Sequence, residues 1–246
     1  MNKDQAEYYM SHQIGPDDTF RFKCRECGKC CTQREDIILT PRDLYNMARK
    51  LGITIEETIR QYCEVYIGHN SRIPIVRILP RGANKVCPLL VDKRCRVHDS
   101  KPVICAMFPV GRMLLGDKTA QTSEAPLTLR FILNPLTCGS DKQEHTVRNW
   151  LAQFGIPIED EFYVRWNEIL LYLVPFFRKL YELKVSPELV AAPLSAVFES
   201  LYARYDTAKD FMPQYLENAA ELRSAMGRLE QRLRDAGLLE QSSLSD

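Results

Sequence analysis

The sequence predicts an α+β fold. It reads as an irregular, loop-rich cysteine domain with short strands and two helices, followed by a helical C-terminal region. Three observations predict this. All nine cysteines fall at or before residue 138. The strand-like and helix-like stretches among them are short and separated by turn residues. Beyond about residue 143, apolar residues recur at helical spacing. The expected division is a poorly ordered N-terminus over 1–19, a cysteine-cluster domain over 20–142, a helical domain over 143–238 and a tail over 239–246.

Each element has its own signal. Residues 1–19 are polar. Phe20 and Phe22 alternate with Arg21 and Lys23, so a short strand leads into Cys24-Arg-Glu-Cys27-Gly-Lys-Cys30-Cys31. Thr40 is a good helix N-cap, Pro41 suits the first helical position, and Asp43 suits the first turn. Leu44, Met47, Ala48 and Leu51 follow at helical spacing, and Gly52 can end that helix. Thr54-Ile-Glu-Glu57 has capping-box spacing and starts a second helix. Ile55, Ile59, Tyr62, Cys63 and Tyr66 line one face of it, so Cys63 reads as a small buried hydrophobe rather than a ligand.

Residues 72–79 read as an edge strand interrupted by Pro74. Residues 113–115 and 127–133 read as further short strands, with Gly116-Asp117 in a turn between them. Helices are expected over 143–154, 160–184 with strain or a kink at Pro175, 187–204 and 211–236. In the last, Ala219, Leu222, Met226, Leu229, Leu233 and Ala236 alternate at three and four. That stripe is shorter than the three to four heptads that argue for a coiled coil. It is expected to pack on the preceding helices, with a dimer seam or a partner helix as the alternative.

Composition bounds the function. A chain of 246 residues can bury a real core without disulfides. Met1 to Phe20 lacks an apolar h-region, so a cytoplasmic location with reduced thiols is expected. Nine cysteines also make an odd set for a disulfide framework, which favours metal binding. The longest apolar run, Ile169 to Phe177, is far short of the about 20 residues a membrane-spanning helix needs. No transmembrane segment is expected. Residues 1–145 carry a formal charge of +5 and residues 146–246 carry −4. That is a weak basis for nucleic-acid binding, and none is expected. The acidic helical half is instead a candidate surface for a protein partner. No phosphate-binding glycine loop, Gly-x-Ser-x-Gly or His-Glu-x-x-His is present, and catalytic residues are not identified.

The chemistry sits in the cysteines. One group is Cys24, Cys27, Cys30 and Cys31. A second is Cys87-Pro-Leu-Leu-Val-Asp-Lys-Arg-Cys95. A third is Lys101-Pro-Val-Ile-Cys105-Ala-Met-Phe-Pro109, with Cys138 further on. Thiolates at two-residue spacing can converge on one metal centre. Cys30 and Cys31 are adjacent, and neighbouring side chains usually diverge. They more easily serve two neighbouring centres, or one binds while the other stays reactive. Arg21, Lys23, Arg25, Lys29 and Arg34 surround the first group, and positive charge lowers thiol pKa and offsets a multi-thiolate site. Cys-x2-Cys-x2-Cys opens a ferredoxin-type run, but the closely following Cys-Pro is missing. A zinc ribbon would need a second Cys-x2-Cys knuckle, which is also missing. An iron–sulfur cluster such as 4Fe-4S is slightly favoured over Zn2+, because eight candidate thiolates exceed the four that one zinc needs. His98 is expected to be packed or hydrogen-bonded rather than a ligand. His12, His69 and His145 are expected at the exposed surface.

Phe22-Lys-Cys24-x-x-Cys27-Gly28-x-Cys30-Cys31, Leu39-Thr40-x-x-Asp43, Cys87-Pro88-Leu89 and Cys95-x-Val97-His98-x-x-Lys101-Pro102-x-x-Cys105-x-x-Phe108-Pro109 occur in that order. This series resembles the YkgJ-type cysteine-cluster family, a zinc- or iron-chelating domain, over residues 20–140. The resemblance implies that Cys24, Cys27, Cys30, Cys31, Cys87, Cys95, Cys105 and Cys138 form the metal-binding set, with Cys63 outside it. The chain departs from the family at Lys101 and Ala106, where arginines are usual, and at Gly139-Ser140, which matches its glycine-rich ending in part. Flagellin lysine methylases are similar to this family, which makes protein modification an alternative activity by resemblance. The expected function is a metal-binding protein with a redox, sensing or metal-handling role. An adaptor built around a structural metal is a further alternative.

Overall fold

The structure is a computed structural model that describes residues 3–25, 27–115, 128–136 and 138–239. Its architecture is α+β, with short antiparallel strands in small sheets and a helical C-terminal region. The segment expected to be poorly ordered carries a helix, α1 (Lys3–Ser11), and a two-residue strand, β1 (Gln13–Ile14). In β2 (Thr19–Lys23) the alternation predicts the pleat: Phe20 and Phe22 are buried and their neighbours exposed.

Helix α2 (Pro41–Leu51) begins where its cap signals place it. The Thr40 hydroxyl accepts from the Asp43 amide, and the Asp43 carboxylate accepts from the Thr40 amide. Gly52 ends it at φ 69°, a left-handed conformation that glycine adopts without steric cost. Helix α3 (Ile55–Tyr62) starts with the expected Thr54–Glu57 capping box but ends a turn early. Cys63 opens β3 (Cys63–Ile67), which pairs with β4 (Pro74–Ile78). The apolar stripe of α3 therefore stops at Tyr62. Val65, Tyr66 and Ile67 favour the pleated surface offered by the returning strand.

A small hairpin follows, β5 (Leu90–Val91) with β6 (Arg94–Cys95). Its two turn residues, Asp92 and Lys93, have φ of 48° and 63°, the twist a two-residue hairpin requires. Helix α4 (Val103–Met107) leads into β7 (Val110–Leu115), which pairs with β8 (Thr128–Leu133), and β1 adds to the other edge of β8. The expected turn at Gly116-Asp117 lies outside the described residues. The helix expected over 143–154 starts later. Residues from Ser140 form β9 (Ser140–Thr146), which pairs with β2, and only then does α5 (Val147–Ala152) begin. Thr146 caps it, accepting from the Asn149 amide at 3.1 Å. Helix α6 (Glu161–Glu182) contains Pro175. Helix α7 (Pro187–Phe198) runs into a π turn at Glu199–Ala203, and α8 (Phe211–Asp235) closes the described chain.

Two hydrophobic cores result, and they do not follow the boundary at 142/143. The larger joins Ile37, Leu39, Leu44, Met47, Val76, Leu89 and Val97 to Phe162, Leu173, Phe177, Tyr215, Leu222 and Met226. The smaller gathers Phe20, Phe22, Ala106, Met107, Phe131, Val147, Trp150 and Leu151. The C-terminal helices thus bury their apolar faces against α2, β4 and the cysteine loops. In α8, Leu222, Met226 and Leu233 are buried in that larger core, the packing expected of its stripe. Asp160, only 1% exposed at its side chain, ties the two halves together. It accepts from both terminal nitrogens of Arg42 on α2, at 2.9 and 2.5 Å, and from Arg112 on β7 at 2.7 Å. It also caps α6. Among the described residues no helix is long and apolar enough to cross a membrane.

Candidate metal centre

The three cysteine groups reach one place by different routes. Cys24 and Cys27 follow directly from the end of β2. Gly28, at φ 69°, turns the chain into a single 3-10 turn that carries Cys30 and Cys31. A side chain at Gly28 would meet Leu90 of the neighbouring hairpin at 3.4 Å. The Cys87 amide donates to the Cys31 carbonyl at 2.8 Å, which fastens the second group to the first. Cys95 lies across the hairpin from Leu90. Cys105 sits on α4, whose first amide, Val103, donates to the buried Asp43 carboxylate at 2.8 Å. Cys138 precedes Gly139, whose φ of 81° lets the chain turn against the Lys23 carbonyl before β9 pairs with β2.

All eight cysteines of the expected set line one cavity of about 500 Å³. Cys63 is buried in the larger core and does not line that cavity; burial pushes its thiol up to about 12. Lys23, Arg25, Arg34, Lys93, Arg94 and Lys101 also line the cavity, and among the described residues no carboxylate does. Lys101 lies over the Phe154 ring at 4.3 Å, and Phe108, Trp150 and Phe154 form an aromatic wall. The positive rim includes the lysines and arginines of the hairpin turn, which spacing between cysteines did not single out.

The thiols differ in their electrostatics. The Cys30 and Cys31 sulfurs are 3.9 Å apart. Hydrogen bonding from Cys31 lowers the Cys30 thiol to about 6, against burial and with help from the Lys101 and Arg34 charges. The same hydrogen bond raises the Cys31 thiol, and burial and the neighbouring thiolates raise it further. Burial is also the main cause that raises Cys87, Cys95, Cys105 and Cys138. A metal arriving here must displace protons, so its binding weakens as pH falls. The donor set is chemically uniform. Thiolates are soft ligands that select zinc, copper(I) or iron–sulfur clusters over hard cations. As the side chains stand, no three His, Cys, Asp or Glu among the described residues converge on an ion-sized point. Coordination therefore needs the thiols to turn inward from the cavity wall.

The histidines are placed differently from expectation in two cases. His98 stands exposed on the cavity rim instead of being packed. His145 is buried, not exposed. Its Nε2 donates to the Phe22 carbonyl at 3.0 Å, and its ring lies 4.9 Å from that of Trp150. The signal for it is hidden in β9, whose other residues are almost all polar and exposed. His12 and His69 are exposed as expected. Ala106, where the family usually has arginine, is 2% exposed within the smaller core.

The family model CxxCxxCC, described as "Putative zinc- or iron-chelating domain", matches residues 23–145, half of the chain. The chain belongs to this family. The match covers the whole cavity-lining cysteine set and supports metal binding by this half of the protein. No curated protein and no solved structure matches the chain.

Proposed function

We propose that this protein holds metal through Cys24, Cys27, Cys30, Cys31, Cys87, Cys95, Cys105 and Cys138, with an iron–sulfur centre favoured over zinc, in a redox, sensing or metal-handling role. One observation carries the reading. Every cysteine of the expected set lines a single cavity, and the one cysteine outside the set is buried in the larger core without lining it. The basic rim suits a multi-thiolate site, whose net charge is negative. The acidic helical half, in this reading, presents its outer surface to a protein partner.

The test is to purify the protein without oxygen and measure iron, zinc and acid-labile sulfide on one sample. Iron with matching sulfide supports the cluster. Zinc alone moves the reading to a structural or metal-handling centre, and no metal of either kind sinks it. Cys63→Ala serves as the control and is expected to keep the wild-type metal content.

A second reading, a protein-modifying enzyme similar to flagellin lysine methylases, draws on the aromatic wall of Phe108, Trp150 and Phe154 beside the thiols. A cavity of this size is within the range that binds small molecules. Calorimetric titration with S-adenosylmethionine tests it, and absence of heat at millimolar ligand counts against it.

A further inference from the structure

We propose that the eight thiols divide into two neighbouring four-thiolate centres, an inner one of Cys31, Cys87, Cys95 and Cys105 and an outer one of Cys24, Cys27, Cys30 and Cys138. The division runs through the Cys30–Cys31 peptide bond. It rests on the metal-binding reading and adds to it the number of centres and the ligands of each.

The backbone argues for this partition. Cys31 is joined to Cys87 by the hydrogen bond from the Cys87 amide to the Cys31 carbonyl, and Thr32 bridges Val86 beside it. The Leu90 amide donates to the Cys87 carbonyl at 3.0 Å, and Leu90 pairs with Cys95, so the hairpin folds Cys95 back over Cys87. Cys105 approaches from α4, which is anchored to Asp43 at the start of α2. Cys87, Cys95 and Cys105 all pack against the larger core. The opposite side is assembled by other contacts. Lys23 pairs with Ser140 across β2 and β9, and Gly139 turns against the Lys23 carbonyl. That pairing brings Cys138 to the end of β2, next to Cys24, and Cys27 lines the same cavity.

Burial follows the same line. Cys24, Cys27 and Cys30 are exposed, whereas Cys31, Cys87, Cys95 and Cys105 are half-buried; Cys138, also half-buried, is placed in the outer set by the β2–β9 pairing and not by burial. The Cys30 and Cys31 sulfurs, 3.9 Å apart, stand where the two groups meet. Four tetrahedrally arranged thiolates complete one zinc, and four complete one cubane cluster, so each set is sufficient alone. Cys30 is given to the outer set because it is exposed, while the carbonyl of Cys31 is already bound to the inner loop.

The experiment compares the wild-type protein with the double variants Cys24→Ser/Cys138→Ser and Cys87→Ser/Cys105→Ser. Metal per chain is read by elemental analysis and native mass spectrometry, and folding by circular dichroism. The outer double variant is expected to stay folded and lose half of the wild-type metal. Limiting chelator on the wild type is expected to give a half-loaded intermediate, the exposed outer centre emptying first. The inner double variant is expected to lose at least half. Loss of all metal from the folded outer variant would show one shared centre, and full retention would show idle outer thiols. Either overturns the division while leaving metal binding intact. A wild-type protein without metal would instead overturn the underlying reading, and the division with it.

Discussion

Asp43 does more than cap a helix. Its carboxylate accepts from the Thr40 amide and hydroxyl at 2.8 and 2.7 Å, and from the Val103 amide at 2.8 Å. One buried residue thereby fixes the start of α2 and the start of the helix that carries Cys105. Burial pushes its carboxyl up, against these hydrogen bonds. The Leu39-Thr40-x-x-Asp43 stretch is thus tied to the cysteine site by a contact sixty residues away in sequence. The cap was legible in the sequence, because capping chemistry is local. Its second role was not, because nothing near Val103 announces a partner. Asp43→Ala should leave two buried amides without acceptors and cost about 2–3 kcal/mol. The expected reading is a lower urea midpoint with an unchanged slope. An unchanged midpoint would mean that α2 and α4 are held by packing alone.

At the scale of elements, most segments with an apolar period came through, and the polar strand did not. The alternating phenylalanines of β2 and the stripes of α2 and α8 each point to the face that becomes buried. Strand β9 escaped because Ser140–Thr146 buries only His145 and so has no period to read. Strand β3 was absorbed into the stripe of α3, since Tyr62, Cys63 and Tyr66 satisfy both spacings until β4 is known to return beside them. The weak sequence signal of β9 does not make its junction with β2 unimportant. A Cβ at Gly139 would sit 2.9 Å from the Lys23 carbonyl, at a φ of 81°. Gly139→Ala should cost at least about 1–2 kcal/mol from the left-handed backbone alone. It should also displace Cys138, so the thermal midpoint and the metal content fall together. A fall in stability with full metal retention would separate Cys138 from the site.

For the whole molecule, the decisive contact is the one between the cores. Arg42 reaches Asp160 from the larger core and Arg112 reaches it from the sheet of the smaller one, and the arginines stack over Phe162 and Tyr163 at 4.6 and 3.8 Å. The sequence contained all of these residues but no spacing that links them, since Arg42 and Asp160 are 118 residues apart. Burial alone would raise the Asp160 carboxyl, but the two guanidinium groups outweigh it and hold the carboxyl below its ordinary value. A folded value below the unfolded one means that the charged form stabilises the fold. That contribution is complete above the ordinary carboxylate value of about 3.9 and is lost as pH falls through the lower folded value. Asp160→Asn removes the charge and strands Arg112, whose side chain is 5% exposed. The expected cost near neutral pH is about 3–5 kcal/mol, the range for breaking a buried pair on one side. Urea unfolding across an acid series checks both points. The wild-type protein should lose stability steeply below about pH 4, and the variant should lose less over the same interval. Parallel curves would mean that other carboxylates set the acid sensitivity, and that the halves are joined by apolar packing with Asp160 as a bystander.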